Sequence, residues 1–122
     1  LWIPWSQSMI TDRDKKLTEH IFEAIEAIER FTRGKTKEEF LDDEMLSSAV
    51  IKKFEIIGEA CSRLTGEFQA DHPNIPWREI IGMRNILIHD YFGTDLEGVW
   101  NSVEEDLPKL KERFRTISNR ER

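Results

Sequence analysis

Apolar side chains recur at three- and four-residue steps along most of this chain, and this helical period constrains the fold more than any other feature. Three long stretches show it, over residues 12–34, 43–68 and 96–117, and a shorter one follows Trp77. Two-residue alternation, which is typical of strands, never extends beyond a few positions. The 122 residues include only 6 Gly and 4 Pro to interrupt helices. We therefore predict an all-α, single-domain bundle of four to five helices.

Capping residues mark where the first helices end and the next ones begin. Thr36 is followed three residues later by Glu39, which is the spacing of a capping box, so a short helical turn is expected over 37–41. Asp42 or Asp43 can then cap the third helix through its carboxylate. These signals predict that the connection between the two long helices is ordered.

Glycine and proline indicate further features of the helices. Gly58 lies within the third apolar stretch, where glycine costs about 1 kcal/mol relative to alanine, so we expect a neighbouring helix to approach closely there. Pro76 precedes Trp77 at a position where a fourth helix can begin. That helix should end near 91–93. Pro108 lies inside the last helical stretch and should kink it.

Charge and residue types limit the chemistry. The net charge of -6 argues against broad binding to nucleic acid, so any RNA site must be local. Cys61 is the single cysteine, which excludes an intrachain disulfide, and it should be a small buried residue. His20 and His72 have no metal-ligand spacing to each other. We predict no metal site and no cofactor.

The ends of the chain and its hydropathy bear on location. No apolar run approaches the roughly 20 residues needed to cross a bilayer, and the basic and apolar pattern of a signal peptide is absent. We predict a cytoplasmic protein that does not bind membranes. Residues 1–8 differ in composition from the rest, so we expect them to be an added or upstream extension, with the helical domain spanning 9–122.

Four side chains suited to phosphate chemistry lie within eight residues at the end of the fourth helix. Arg84 is a permanent cation, Asn85 an amide, His89 a group that titrates near neutrality, and Tyr91 a phenol. On a regular helix Arg84 lies about 140° away from His89, so the two converge poorly within one chain. A symmetric dimer would bring two such helix ends together. By spacing alone, however, helix-end capping and salt bridging explain these residues more often.

The segment also resembles a known family. Arg84, His89 and Tyr91 match the R-x4-H-x-Y signature of the HEPN superfamily, and the chain is similar to HepT-like toxins over roughly 12–117. The further blocks that carry the resemblance are Ala49-Val50-Ile51, Ile56-Ile57-Gly58-Glu59-Ala60, Ile75 through Asn85, Tyr91-Phe92-Gly93 and Glu105-Asp106-Leu107-Pro108. Glu59 otherwise belongs to an exposed i,i+4 charge ladder with Glu55 and Arg63.

The resemblance implies a homodimer with one composite, metal-independent RNA-cleaving site. Arg84 would hold the scissile phosphate and His89 would transfer protons during attack of the ribose 2′-hydroxyl. Asn85 would support the phosphate or the histidine, and a helix-end cap is an equally good explanation of it. In HepT-like toxins the tyrosine that matches Tyr91 receives AMP from a minimal nucleotidyltransferase of the MntA type, which acts as the antitoxin.

Two further interpretations stay open. The chain could be a non-catalytic HEPN partner that binds its nucleotidyltransferase and is modified by it, and the acidic composition favours this modestly. A plain helical dimerisation module is a third. The presence of both Arg84 and His89 favours the enzyme.

Overall fold

The structure, a computed structural model, describes residues 11–89 and 95–120, with side chains described up to residue 117. Residues 90–94, which include Tyr91 and the predicted end of the fourth helix, lie outside the described residues, as do residues 1–10. The described elements are α1 (Asp12–Thr32), α2 (Lys37–Asp42), α3 (Glu44–Arg63), α4 (Gly66–Asp71), α5 (Trp77–His89), α6 (Leu96–Asn101), a π-helical segment (Ser102–Asp106) and α7 (Leu107–Arg120).

The predicted all-α bundle is confirmed. Four long stretches build it, namely α1, α3, α5 and the nearly continuous run from α6 through α7, while α2 and α4 are short connecting helices of six residues each. The α3 helix lies at the centre, because both α1 and α5 pack along it, and α7 closes the core against α1. Among the least exposed side chains are apolar residues of α1, α3 and α7: Ile21, Ile25, Ile28, Val50, Ile57 and Phe114.

The predicted caps are confirmed. Thr36 Oγ1 accepts from the Glu39 backbone N–H at 3.1 Å, and Glu39 Oε1 accepts in return from the Thr36 N–H at 3.0 Å. This reciprocal pair is a capping box and starts α2. Asp43 then caps α3 by accepting from the Leu46 N–H at 3.0 Å. Two helix starts are therefore satisfied by side chains within three residues of them.

The third helix is shorter than the sequence predicts. A single helix over 43–68 is wrong, because α3 ends at Arg63 and a new helix, α4, begins with Thr65 as its N-cap. The reason lies in another element. Asp14 of α1 is 2% exposed, and its two carboxylate oxygens accept from the Thr65 N–H at 3.0 Å and the Thr65 hydroxyl at 2.8 Å. With an extended backbone, Thr65 can donate its N–H to this buried carboxylate. In a continuous helix the same N–H would bond a backbone carbonyl one turn earlier.

The last helical stretch departs from regular α-helical bonding just before Pro108, the residue at which the sequence predicts a kink. Pro108 has no N–H to donate, and the chain just before it widens into the π-helical segment, in which the Leu107 N–H bonds the Ser102 carbonyl. The long stretch nevertheless keeps its apolar side on the core, since Trp100 and Leu107 on either side of the segment are both buried.

The core also contains Trp100 and Cys61, and the predicted burial of Cys61 is confirmed. Trp100 is 5% exposed and packs on Phe40 with ring centroids 5.2 Å apart, and half-buried Trp77 packs edge-on against Phe114. Cys61 is fully buried, and this burial raises the pKa of its thiol to about 12. The thiol therefore stays protonated at neutral pH and behaves as a small apolar group. Within 11–89 and 95–120, no helix is both long and apolar enough to cross a membrane.

Candidate functional site

The α5 helix carries most of the predicted site and lies on the surface of the bundle. Pro76 precedes it as predicted, and Trp77 fixes its start by donating from Nε1 to the backbone carbonyls of Gln69 and His72 at 3.1 and 3.0 Å. None of the residues of α5 is fully buried. Ile86, near its end, is 64% exposed, which is unusual for a large apolar side chain. One side of this helix is therefore left uncovered by the rest of the described chain.

A glycine lets α5 approach α3 at Arg84. A Cβ atom built on Gly58 would lie 2.2 Å from the Arg84 Cβ and 3.3 Å from the Ile80 carbonyl oxygen, so only glycine fits there without displacing α5. The close approach predicted for Gly58 is thus confirmed. It brings the base of the Arg84 side chain directly against the backbone of α3.

Two neighbours then hold the Arg84 guanidinium. Its Nη2 lies 2.6 Å from Oε2 of Glu59 on α3, and its Nη1 donates to Oδ1 of Asn85 at 2.7 Å. Its Nε is buried and makes no hydrogen bond to any part of the chain that the structure describes. The side chain is 29% exposed, so the guanidinium remains accessible from solvent. Because a guanidinium has five N–H donors, each terminal nitrogen still has one for a ligand.

Glu59 is the one residue of this arrangement to which the sequence assigned no role in the site. Its second oxygen, Oε1, accepts from Arg63 Nε at 2.9 Å, so one carboxylate joins two arginines. The hydrogen bond from Arg63 and the positive charge of Arg84 lower the pKa of Glu59, against an opposing effect of burial. Glu59 is therefore ionised at neutral pH. The ladder spacing to Arg63 was visible in the sequence, but the contact with Arg84 was not.

The structure does not bring His89 to Arg84. His89 is the last residue of α5 and is exposed. Five residues of helix separate the two by about 7.5 Å along the axis and about 140° around it. Among the described contacts, none joins them directly. One chain thus places Arg84, Asn85 and Glu59 together, while His89 points to a different side of the same helix end. Tyr91 lies outside the described residues.

The described residues contain no group of three or more His, Cys, Asp or Glu side chains placed to hold a metal ion. What this arrangement offers is a cation at a partly exposed surface, held by a carboxylate and an amide, with an imidazole a short distance along the same helix. A fork-shaped cation of this kind suits the oxygens of a phosphate, and an accessible imidazole suits proton transfer.

A helical bundle with an arginine and a histidine five residues apart on one surface helix has the features of a HEPN-type protein. The profile described as ribonuclease HepT-like matches residues 21–117, which is most of the chain, and the protein belongs to this family. The family resemblance inferred from the sequence is thereby confirmed.

Relatives from two archaea agree with this assignment. The chain is 48% identical over 103 residues to the probable ribonuclease HepT of Thermococcus cleftensis, an alignment that covers 84% of this chain and 94% of that protein. It is 41% identical over 97 residues to a Methanocaldococcus jannaschii protein named as a candidate RNase, covering 80% and 89% respectively. A second protein of that organism, named as a gamma-glutamylcyclotransferase and candidate RNase, is 48% identical over 98 residues, covering 80% of this chain and 44% of its own length. No match was found among solved structures.

Proposed function

We propose that this protein is a metal-independent endoribonuclease, the toxin of a type VII-like toxin–antitoxin pair. The observation that carries the proposal is the Arg84 guanidinium, which is held by Glu59 and Asn85, is still open to solvent, and shares a surface helix with exposed His89. Membership of the ribonuclease HepT-like family and the names of the relatives support RNA as the substrate.

The two residues have complementary roles in the proposed reaction. His89 accepts the proton of a ribose 2′-hydroxyl, whose oxygen then attacks the adjacent phosphorus. The bond from phosphorus to the 5′-oxygen of the next nucleotide breaks, and that oxygen takes up a proton from an imidazolium. Arg84 donates to the phosphate oxygens, on which charge builds in the transition state. Asn85 supports Arg84 through their hydrogen bond. No step of this reaction requires a metal ion.

A second copy of the chain would complete the site. Arg84 and His89 of one chain diverge around α5, so an imidazole and a guanidinium can converge on one phosphate if two copies of α5 meet. The uncovered side of α5 and the exposed Ile86 supply a surface for such a contact. We therefore propose a symmetric homodimer in which Arg84 and His89 of both copies form one composite site.

The partner that controls this activity would be a minimal nucleotidyltransferase. In the proposed pair it transfers AMP from ATP to the hydroxyl of Tyr91 of this cytoplasmic protein, two residues beyond His89, and pyrophosphate leaves. An added nucleotide places bulk and negative charge beside the composite site, and both oppose the entry of an RNA phosphate.

RNA cleavage in excess EDTA tests the proposal. Unmodified wild type is compared with Arg84→Ala and His89→Ala, each checked for native helix content and for the oligomeric state of wild type. We expect cleavage by wild type and a loss of at least about 100-fold in each variant, since general acid–base catalysis and transition-state charge stabilisation each contribute at least that much.

The outcomes separate the proposal from its main alternative. If wild type and both variants are equally inactive while fold and dimer are intact, the enzyme is rejected. The protein is then better explained as a non-catalytic partner of the nucleotidyltransferase, which agrees with its net charge of -6. If EDTA alone abolishes cleavage, metal independence is rejected.

A further inference from the structure

A groove of about 410 Å³ runs beside Arg84, between α1, α3 and α5. The charged side chains that line it are Lys52, Arg63, Arg84, Glu55 and Glu59, and His20 lies at its α1 side. Three basic side chains face two carboxylates there, which gives a local excess of one positive charge although the whole chain is acidic. This is the local basic surface that an acidic RNA-binding protein needs.

Within the groove, Glu59 links the two arginines. It is the only carboxylate with recorded ion pairs to two arginines among the described residues, at 2.6 Å to Arg84 and 2.9 Å to Arg63. Its bond to Arg63 uses Nε, which leaves both terminal nitrogens of that guanidinium outside the contact. The Arg63 side chain is 59% exposed, so this free end of the fork is accessible from the groove.

We propose that Arg63 is a second phosphate-binding residue, which contacts the RNA strand next to the phosphate held by Arg84, and that Glu59 is the positioning residue for both. The proposal rests on the proposed function, because it takes RNA as the ligand. A carboxylate between two guanidinium groups reduces their mutual repulsion, so two cations can stay close together while their outer N–H donors face the strand. The sequence-independent backbone is the part of RNA that such a pair recognises.

The salt dependence of binding tests this inference separately from cleavage. The probe is a fluorescently labelled single-stranded 2′-O-methyl oligonucleotide of mixed sequence, which cannot be cleaved because the attacking hydroxyl is blocked. Its affinity is measured by anisotropy at several salt concentrations for wild type and Arg63→Gln. Loss of one phosphate contact on a single strand should reduce the slope of log affinity against log salt by about 0.7.

Arg115→Gln is the matched control. Arg115 on α7 is 48% exposed, pairs with Glu112 at 3.2 Å and does not line the groove. Its replacement by Gln changes the net charge of the protein by the same amount as Arg63→Gln, but outside the groove. We expect a wild-type slope for Arg115→Gln and a reduced slope for Arg63→Gln. Equal slopes in the two variants would overturn the assignment of Arg63.

A second variant tests the role of Glu59. Glu59→Gln keeps the length of the side chain but removes its charge, so Arg63 is released. In this background, Arg63→Gln should change the affinity and the slope less than it does in wild type. The same change in both backgrounds would show that Glu59 does not position Arg63.

Cleavage distinguishes this inference from the proposed function. If wild type cleaves RNA but Arg63→Gln keeps the wild-type slope, the inference fails and the proposed function stands. If wild type binds the probe with a slope that depends on Arg63 but cleaves no RNA, the inference stands and the enzyme is rejected. If wild type binds no oligonucleotide at any salt concentration, the inference is overturned.

Discussion

The carboxylate of Glu59 on α3 lies 2.6 Å from the guanidinium of Arg84 on α5. Charge-assisted hydrogen bonds of this length are among the stronger polar contacts in proteins. This one connects the central helix of the bundle to the surface helix that carries the candidate site, so the orientation of Arg84 depends on both. The stability of the fold and the geometry of the site should therefore change together.

The Glu59 contact predicts a dependence of stability on pH. The hydrogen bond from Arg63, together with the nearby Arg84, lowers the pKa of Glu59 below its usual value of 4.5. A carboxyl with a lowered pKa stabilises the folded state above the unfolded value, and this stabilisation is lost as the pH falls through the folded value. Glu59→Gln should thus be less stable than wild type at neutral pH, and the difference should shrink well below pH 4.5.

Urea unfolding of wild type and Glu59→Gln at both pH values measures this difference. Glu55→Gln, one turn earlier on α3, is the control, because Glu55 has only a 4.0 Å contact with Lys52. A difference between Glu59→Gln and wild type that stays constant with pH would show that the charge of Glu59 does not contribute.

Gly58→Ala should destabilise the bundle by about 1–3 kcal/mol, because its Cβ would overlap the Arg84 side chain and force α5 outward. The matched control is Gly82→Ala on α5, where a Cβ meets open space and alanine should stabilise the helix by about 0.5–1 kcal/mol. Urea unfolding checks both. If the two variants have the same stability, the close approach at Gly58 is not a constraint.

Ile86→Glu should convert the proposed dimer into a monomer. Ile86 is 64% exposed, so the substitution should change the stability of the single chain by no more than about 0.5 kcal/mol while placing a charge in the contact between two copies of α5. Met45→Glu is the control, since Met45 is 82% exposed on α3. Sedimentation equilibrium measures the mass. A dimeric Ile86→Glu variant would place the contact elsewhere.

Asp14→Ala should destabilise the fold by about 1.5–3 kcal/mol, since it leaves the half-buried Thr65 N–H and hydroxyl without their carboxylate acceptor. Asp12→Ala, in the same first turn but exposed, should cost only about 0.3–1 kcal/mol through the helix dipole. Urea unfolding compares them. Equal losses would mean that the bonds to Thr65 contribute little to stability.

Tyr91→Phe should resist modification by the nucleotidyltransferase. Tyr91 is the only tyrosine of the chain, so wild type incubated with ATP and that enzyme should gain adenylyl mass, and the variant should gain none. Modified wild type should also lose RNA cleavage, whereas Tyr91→Phe treated in the same way should keep it. Mass spectrometry and the cleavage assay check the two parts. A variant that is still adenylylated would move the modification to another residue.

Features that depend on neighbours in the chain were predictable from the sequence. The capping box at Thr36, the start of α5 after Pro76 and the disturbance before Pro108 each involve groups within a few residues of one another. The candidate residues Arg84 and His89 were also identified, because their types and spacing match the family signature, and Asn85 was singled out because its amide lies next to Arg84. The close approach of a neighbouring helix at Gly58 was also predictable, because glycine inside a helix is unfavourable unless a larger side chain would not fit.

Contacts between distant segments decided the rest. Asp14 of α1 accepts a hydrogen bond from the Thr65 N–H, and α3 therefore ends early. Glu59 of α3 forms an ion pair with Arg84 of α5. Neither pairing can be predicted from a local sequence pattern. The sequence by itself determined that the chain is helical, where most helices begin and which residue types carry the candidate chemistry, because short-range hydrogen bonds and apolar periodicity specify these. Only the tertiary structure decided which carboxylate meets which donor, because that depends on how the packed helices align, and alignment is set by the whole core.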